Sequence, residues 1–440
     1  MVTTGGRSAC LALPTHRECA DTIVGLAAEA AYGAATFGVR VELLILDSCD
    51  PETYALHADT VRNLPAAPGV RVTHLDENAQ REFLHGVITT AQVGKPDLIA
   101  QLMLPDQASY GACTNRAFLI AAALGCESVH RRDSDVAFQV FDGAPVYPIH
   151  QELMSIGKRA ADAAAGVTDV TLDPAHAGKP VVSVGASFIG DLSVDIEEIR
   201  ELDPQAYYDI VSLWAAPGST EQQKRELVAE SFTGAPDGPF DGDRSVLCLV
   251  DPMRVDMSNI SYYQVHEDVP LPPMTDTIGS DYFHIHLVPD STLPGVLHNR
   301  HVVNYHTADR KTDEAFLAYH PRLVKFFLSM LYLHFIYDRM GAAGARLLDD
   351  HYRVQAPLLV EIVRESTRLD TEPNVRAVEL LERTYRRLGG RYASVADRLA
   401  AQRERLVIEA RQDIEEFALL IEVWGPLVRT AKAVGLAGRR

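Results

Sequence analysis

Arg131, Arg132, Asp133 and Asp135 crowd into the five-residue stretch "RRDSD". Carboxylates two positions apart can hold a hard divalent cation through oxygen, and guanidinium groups form charge-assisted hydrogen bonds to phosphate. Together they suit a site where a bound cation offsets the negative charge that grows on a departing diphosphate. A salt-bridged surface turn is the other reading of the same five residues. Which reading holds depends on the elements that carry them.

The apolar run at 9–13 stops at Pro14, as a buried parallel strand does, and helix formers at helical spacing follow up to Gly38. "VRVELLILDSCD" is then an unbroken apolar strand halting on Asp47. Strand, helix and strand with brief connections form a βαβ unit, so a parallel sheet between helices is expected. "GVRVTHLDE" reads as a third strand, "AQREFLHGVITTAQVG" and "ACTNRAFLIAAALGC" as helices, and "ESVHRRDSD" as a strand running out into the acidic pair. "PVVSVGASFIGD" and "SVLCLVD" add strands, "YFHIHLV" reads as an apolar strand with alternating histidines, and the Gly-, Pro- and Asp-rich stretch 215–242 reads as a loop or flap. From about residue 312 the period becomes helical throughout. The expected division is an α/β unit over 1–310, Rossmann-like with a mostly parallel sheet flanked by helices, and an α-helical C-terminal region over 311–440.

Bulk properties narrow the partners. With 440 residues, 47% hydrophobic and 23% charged, the chain can build a substantial core, and its formal net charge of -19 argues against nucleic acid or an anionic membrane. Six scattered cysteines without a CxxC pair suit reduced thiols. The first residues lack the pattern of a signal peptide, and the apolar run 326–337 is too short to cross a bilayer, so a cytoplasmic chain is expected. No GxGxxG, GxxxxGK[ST] or GxSxG fingerprint occurs, which removes support for a Rossmann dehydrogenase, a P-loop NTPase and an α/β-hydrolase.

In an open parallel sheet, ligands bind at the carboxyl ends of the strands, where Pro14, Thr15, Arg17, Asp47, Asp133 and Asp135 would converge. The order "LPTHR", "LLILDSCD", "GACTNRAFLIAAALGC" and "RRDSD" resembles the nucleotide-sugar-binding half of GT-A glycosyltransferases over residues 8–150. That resemblance implies that Pro14, Thr15 and Arg17 line the nucleotide pocket and that Asp47 hydrogen-bonds the base or ribose. It also implies that Asn115 and Arg116 face the sugar or diphosphate, and that Asp135, with Asp133, binds Mn2+ or Mg2+. Members of that family mostly carry apolar residues before the acidic pair, whereas this chain has Arg131 and Arg132, which would reach phosphate oxygens.

"LHNRH" resembles the late histidine that completes the metal shell in several GT-A enzymes, with His298 or His301 favoured over His306. "GSDYF" resembles the segment bordering the acceptor site, which would make Asp281 the general base for an attacking hydroxyl. His284 and His286 read more simply as hydrogen-bonded core histidines. The expected activity is metal-dependent transfer of a sugar from a nucleoside-diphosphate sugar to a small hydroxylated acceptor. Two alternatives stay open: a metal-dependent hydrolase or lyase built on the histidine-rich 284–306 stretch, and a non-catalytic nucleotide-sugar binder. The apolar stripe in "RLAAQRERLVIEARQDIEEFALLIEVW" offers either a homodimer surface or packing against the chain's own α/β unit.

Overall fold

The computed structural model describes residues 7–192, 196–305 and 312–436, with the backbone alone for Asp313 and Glu314. Among these residues the strands form two sheets. Strands β1 (Ser8–Thr15), β2 (Arg40–Asp47), β3 (Val70–Leu75) and β4 (Ser128–Arg132) run parallel, and β4 lies on the far side of β1 from β2. The sheet continues through β11 (Asn259–Tyr263), β8 (Ser183–Gly185), β12 (Gly295–His298), β10 (Ser245–Cys248) and β7 (Asp169–Val170). Strand β11 is antiparallel to both its neighbours, and β10 is antiparallel to β12. The expected parallel sheet is therefore mostly parallel, with opposed strands beyond β4. A smaller sheet of β6 (Ala144–Val146), β5 (Val136–Phe141), β13 (Val302–Asn304) and β9 (Phe188–Gly190) packs beside it.

Successive strand residues face opposite sides, and β1 is apolar on both. Leu11 and Leu13 join Ile23 and Leu26 of the Ala20–Phe37 helix on one face. Cys10 and Ala12 join Phe118 and Ala121 of the Tyr110–Leu124 helix on the other. Gly38 and Gly125 end these helices in the left-handed conformation, at φ 63 and 72, which a side chain would resist. Strand order reverses between β1 and β4, the kind of switch point at which open α/β sheets bind ligands.

The C-terminal helices include Asp313–Ala343 and the 45-residue Gly390–Val434. Their apolar stripe is covered by the chain itself, since Phe417, Ile421 and Trp424 share one hydrophobic cluster with the Tyr110–Leu124 helix and with Cys10 and Ala12 of β1. No described helix is long and apolar enough to cross a membrane.

Two local expectations are corrected. Residues 215–242 contain a helix, Glu221–Glu230, begun by a reciprocal capping box between Thr220 and Gln223. The stretch read as a strand with alternating histidines is the helix Phe283–Asp290, in which burial of Phe283, His284, Leu287 and Val288 follows the helical rather than the two-residue period.

Candidate active site

The crevice between β1 and β4 is built from the strand ends outward. Thr15 closes β1 with a tight turn, its Oγ1 donating to the Arg17 carbonyl at 2.8 Å and accepting the Arg17 N–H at 3.2 Å. The turn aims Arg17 across the crevice, where its Nη1 donates to Asp135 Oδ2 at 3.1 Å. Pro14 pairs in register with Leu46 one residue earlier. On β4, Arg131 Nη2 lies 3.0 Å from Asp133 Oδ1 and 3.1 Å from Asp281 Oδ2, while its Nη1 donates to the Met257 carbonyl at 2.6 Å.

Asp256, from the stretch before β11 whose aromatics, amides and prolines suit a carbohydrate-like acceptor as well as a plain structured loop, joins the group around Arg131. Its carboxylate accepts the Ser258 N–H at 2.8 Å and the Tyr282 hydroxyl at 3.0 Å. Burial pushes Asp281 up to about 6; Arg131 opposes the rise, and Asp133 and Asp256 add to it. Burial also raises Asp256, against its hydrogen bonds from Ser258. Asp133 is the open end of the cluster, its side chain 34% exposed against 5% for Asp281. The structure thus pairs Arg17 with Asp135, groups Arg131 with Asp133 and Asp281, and adds Asp256 and Tyr282 beside the second group. Asp256 carried one usable signal: it sits three residues before a strand that borders β4.

Other expected site residues are bonded elsewhere. Asp47 is fully buried, accepting from His57 Nδ1 at 2.7 Å, His74 Nε2 at 2.9 Å and the Cys49 N–H at 3.0 Å. Burial alone would raise its carboxyl, but the bonds from His57, His74 and Cys49 hold it well below the usual carboxylate range. Asp47, Cys49 and His57 are the one trio of potential metal ligands clustered within 4.8 Å among the described residues. Their chemistry does not fit an ion. The Cys19 N–H donates to His57 Nε2 at 3.0 Å, which leaves the ring proton on Nδ1, the atom that would have to bind the metal.

Asn115 grips the backbone of Leu271, donating to its carbonyl at 2.8 Å and accepting its N–H at 2.7 Å. Arg116 donates to Gln80 Oε1 and to the Met103 carbonyl, each at 2.8 Å. Arg132 lies wholly buried between Glu29 and Glu152. His298 and His301 are buried, accept the N–H groups of Arg300 and Ser187 on Nδ1, and have no hydrogen-bond partner at Nε2 among the described residues. Burial pushes His298 down to about 3. No three ligand atoms among Asp133, Asp135, His298 and His301 gather within 4.8 Å. His306 lies outside the described residues, directly after Tyr305, whose N–H donates to the Asp135 carbonyl. His284 is a core histidine, donating Nε2–H to the Val269 carbonyl at 2.9 Å, and His286 stacks on Tyr337.

The Tyr110–Leu124 helix approaches the segment before Asp281 so closely that a Cβ on Gly111 would lie 1.9 Å from the Pro272 carbonyl oxygen. Gly111→Ala is expected to destabilise by about 1–3 kcal/mol or more through that clash, as urea denaturation would measure. A variant as stable as wild type would mean that the two backbones stand further apart.

A mixed α/β fold with paired carboxylates and arginines past the ends of β1 and β4 is the class these features define. Over residues 7–440 the chain belongs to the family described as DUF6271, a family of unknown function. No curated protein matches it. Among solved structures it is similar to the mannosyltransferase PcManGT from Pyrobaculum calidifontis in complex with GDP-Man and Mn2+, with TM-score 0.34 and 13% identity over 99% of this chain and 89% of that one. It is similar to TarS of S. aureus, with TM-score 0.30 and 13% identity over 95% and 91% of the two chains. Mouse xyloside xylosyltransferase 1 in its apo form gives 0.18 and 12% over 45% and 59%. Likenesses this loose carry no argument about the present chain.

Proposed function

We propose that the chain is a GT-A-like glycosyltransferase that moves a sugar from a nucleoside-diphosphate sugar to a small hydroxylated acceptor with the help of a divalent cation. The observation that carries this reading is the convergence at the β1 and β4 ends: Arg17 on Asp135, and Arg131 between Asp133 and Asp281. The donor types fit, with Asp135 Oδ2 held by Arg17 and no third ligand atom gathered with the pair among the described residues. Asp133 and Asp135 offer hard carboxylate oxygens of the kind Mn2+ and Mg2+ take, next to cationic groups suited to phosphate. The ion would supply charge neutralisation for the diphosphate leaving group.

The chain's own residues divide the remaining work. Pro14, Thr15 and Arg17 border the nucleotide side of the crevice. Arg131 orients Asp133 and Asp281 toward one another and keeps one fixed positive charge between them. Asp281, with its proton affinity raised toward neutrality, accepts the proton of the acceptor hydroxyl. The hydrolase or lyase reading is weakened because no three ligand atoms of the histidine-rich stretch lie within 4.8 Å of one another among the described residues.

Calorimetry with UDP and GDP, with and without Mn2+, tests the reading. Metal-dependent binding is expected, and Asp135→Ala should weaken it by at least the roughly 10–100-fold that even secondary partners of a metal site command. Asp135→Ala that binds nucleotide and metal like wild type would overturn the assignment. Binding without sugar transfer to any acceptor would instead support a non-catalytic binder.

A further inference from the structure

Residues 269–280 lead to Asp281 without regular secondary structure, yet Val269, Leu271, Met274, Thr277 and Ser280 are buried. A buried irregular segment must find partners for its backbone groups. Three contacts tie it to the Tyr110–Leu124 helix and the turn before it, two of them on its own backbone. Asn115 holds Leu271, Ala108 accepts the Asp276 N–H at 2.8 Å, and Gly111 donates to Ser280 Oγ at 3.0 Å.

The fourth contact comes from the other side. Lys325, on the Asp313–Ala343 helix and 2% exposed, donates Nζ to the Thr275 carbonyl at 2.8 Å. The same ammonium lies 2.9 Å from Asp413 Oδ2 and 3.8 Å from Glu409 Oε2 on the Gly390–Val434 helix. Arg322, one turn earlier on the same helix as Lys325, lies 3.7 Å from Asp276. A buried ammonium is expensive to desolvate, and a leucine or methionine would fill the same space. The arrangement makes sense where a definite point of the backbone has to be held.

We propose that Lys325, anchored by Asp413, is a positioning residue for Asp281, so that the C-terminal helices set the acceptor side of the site through the 269–280 segment. The inference rests on the reading of Asp281 as the base. It goes beyond that reading by giving the helical region a part in the reaction.

Two variants of the full chain test it. Lys325→Met leaves Asp413 unpaired, whereas Lys325→Met with Asp413→Leu removes the whole ion pair, a change that buried pairs often tolerate without loss of stability. Hydrogen exchange read by mass spectrometry should speed up about tenfold or more over 270–281 in both, with exchange in β1 to β4 unchanged. Sugar transfer should fall roughly 10–100-fold in kcat at unchanged donor KM, the loss expected from a misplaced catalytic group. The acid limb of the pH–rate profile should shift as the surroundings of Asp281 relax, and Lys325→Arg should restore part of the rate. Wild-type exchange over 270–281 in both variants overturns the tether, whatever the activity. Faster exchange with wild-type kcat and pH profile overturns the positioning role. A wild-type chain that transfers no sugar removes the underlying reading, and that control separates the two failures.

Discussion

Asp281→Asn should lower kcat for sugar transfer by about 10²–10⁴-fold, the usual contribution of a positioned general base. The asparagine keeps the shape and loses the ability to take a proton. Burial pushes Asp281 up to about 6, with Asp133 and Asp256 reinforcing and Arg131 opposing. A base must be ionised, so kcat/KM should fall as pH drops through that value. Asp256→Asn removes a neighbouring negative charge and should move the acid limb to lower pH. Arg131→Met removes the positive one and should move it higher. The effect on folding has the opposite sense to that of a salt-bridged carboxylate. A carboxyl whose proton affinity is raised in the native state binds protons more tightly there, so its contribution to stability declines as pH rises from the ordinary carboxylate range to about 6. Rate profiles of the three variants at matched saturation check the whole set. An acid limb that stays in place in both Asp256→Asn and Arg131→Met would show that another group is titrating.

The strand-and-helix frame was legible because its signals are local: apolar runs, helical spacing and the glycines at 38 and 125. The pairing of Arg17 with Asp135 follows from the same frame, since each lies just past one of two strands that neighbour each other in parallel. Which donors are free is not a local property of the sequence. Arg131 and Arg132 are neighbours on a strand, so they must face opposite sides, and only one of them can serve the crevice. Arg131 meets Asp133 and Asp281, whereas Arg132 meets Glu29 and Glu152, which are distant in sequence and gave no warning. Asn115 and Arg116 have the character of ligand groups on a small-residue helix, but the Leu271 backbone, the Met103 carbonyl and the Gln80 side chain that occupy them are set only by tertiary folding. The Phe283–Asp290 helix was misread because His284 and His286 imitate alternation. The wider spacing of Phe283 and Leu287 was the better guide. In 215–242 the Thr220 and Gln223 pair was a readable start signal, overlooked beside the Gly- and Pro-rich sequence that follows.

Arg132→Met should destabilise the fold by about 3–5 kcal/mol at neutral pH, because it strands two carboxylates without their cation. Arg132 reaches Glu29 with Nε at 3.2 Å and Nη2 at 2.8 Å, and Glu152 with Nη1 at 3.0 Å and Nη2 at 2.9 Å. All three side chains are fully buried. Burial raises Glu29 and Arg132 opposes it, whereas in Glu152 the bonds from Arg132 and His130 outweigh burial and bring it down to about 2. Without the guanidinium both carboxyls would hold protons more tightly in the native state than in the unfolded chain. The deficit should therefore shrink as pH falls from 7 toward 5, opposite to ordinary acid destabilisation. Urea denaturation at the two pH values reads this directly, and Glu29→Gln in the same chain should recover part of the loss at pH 7. Nucleotide affinity, measured below the unfolding transition, should stay within about twofold of wild type, since the side chain faces away from the crevice. Arg131→Met should reverse the pattern, disturbing nucleotide binding and the Asp281 titration more than stability. A tenfold loss of nucleotide affinity in Arg132→Met, with less than about 1 kcal/mol of destabilisation, would return Arg132 to the substrate site and contradict the buried cluster.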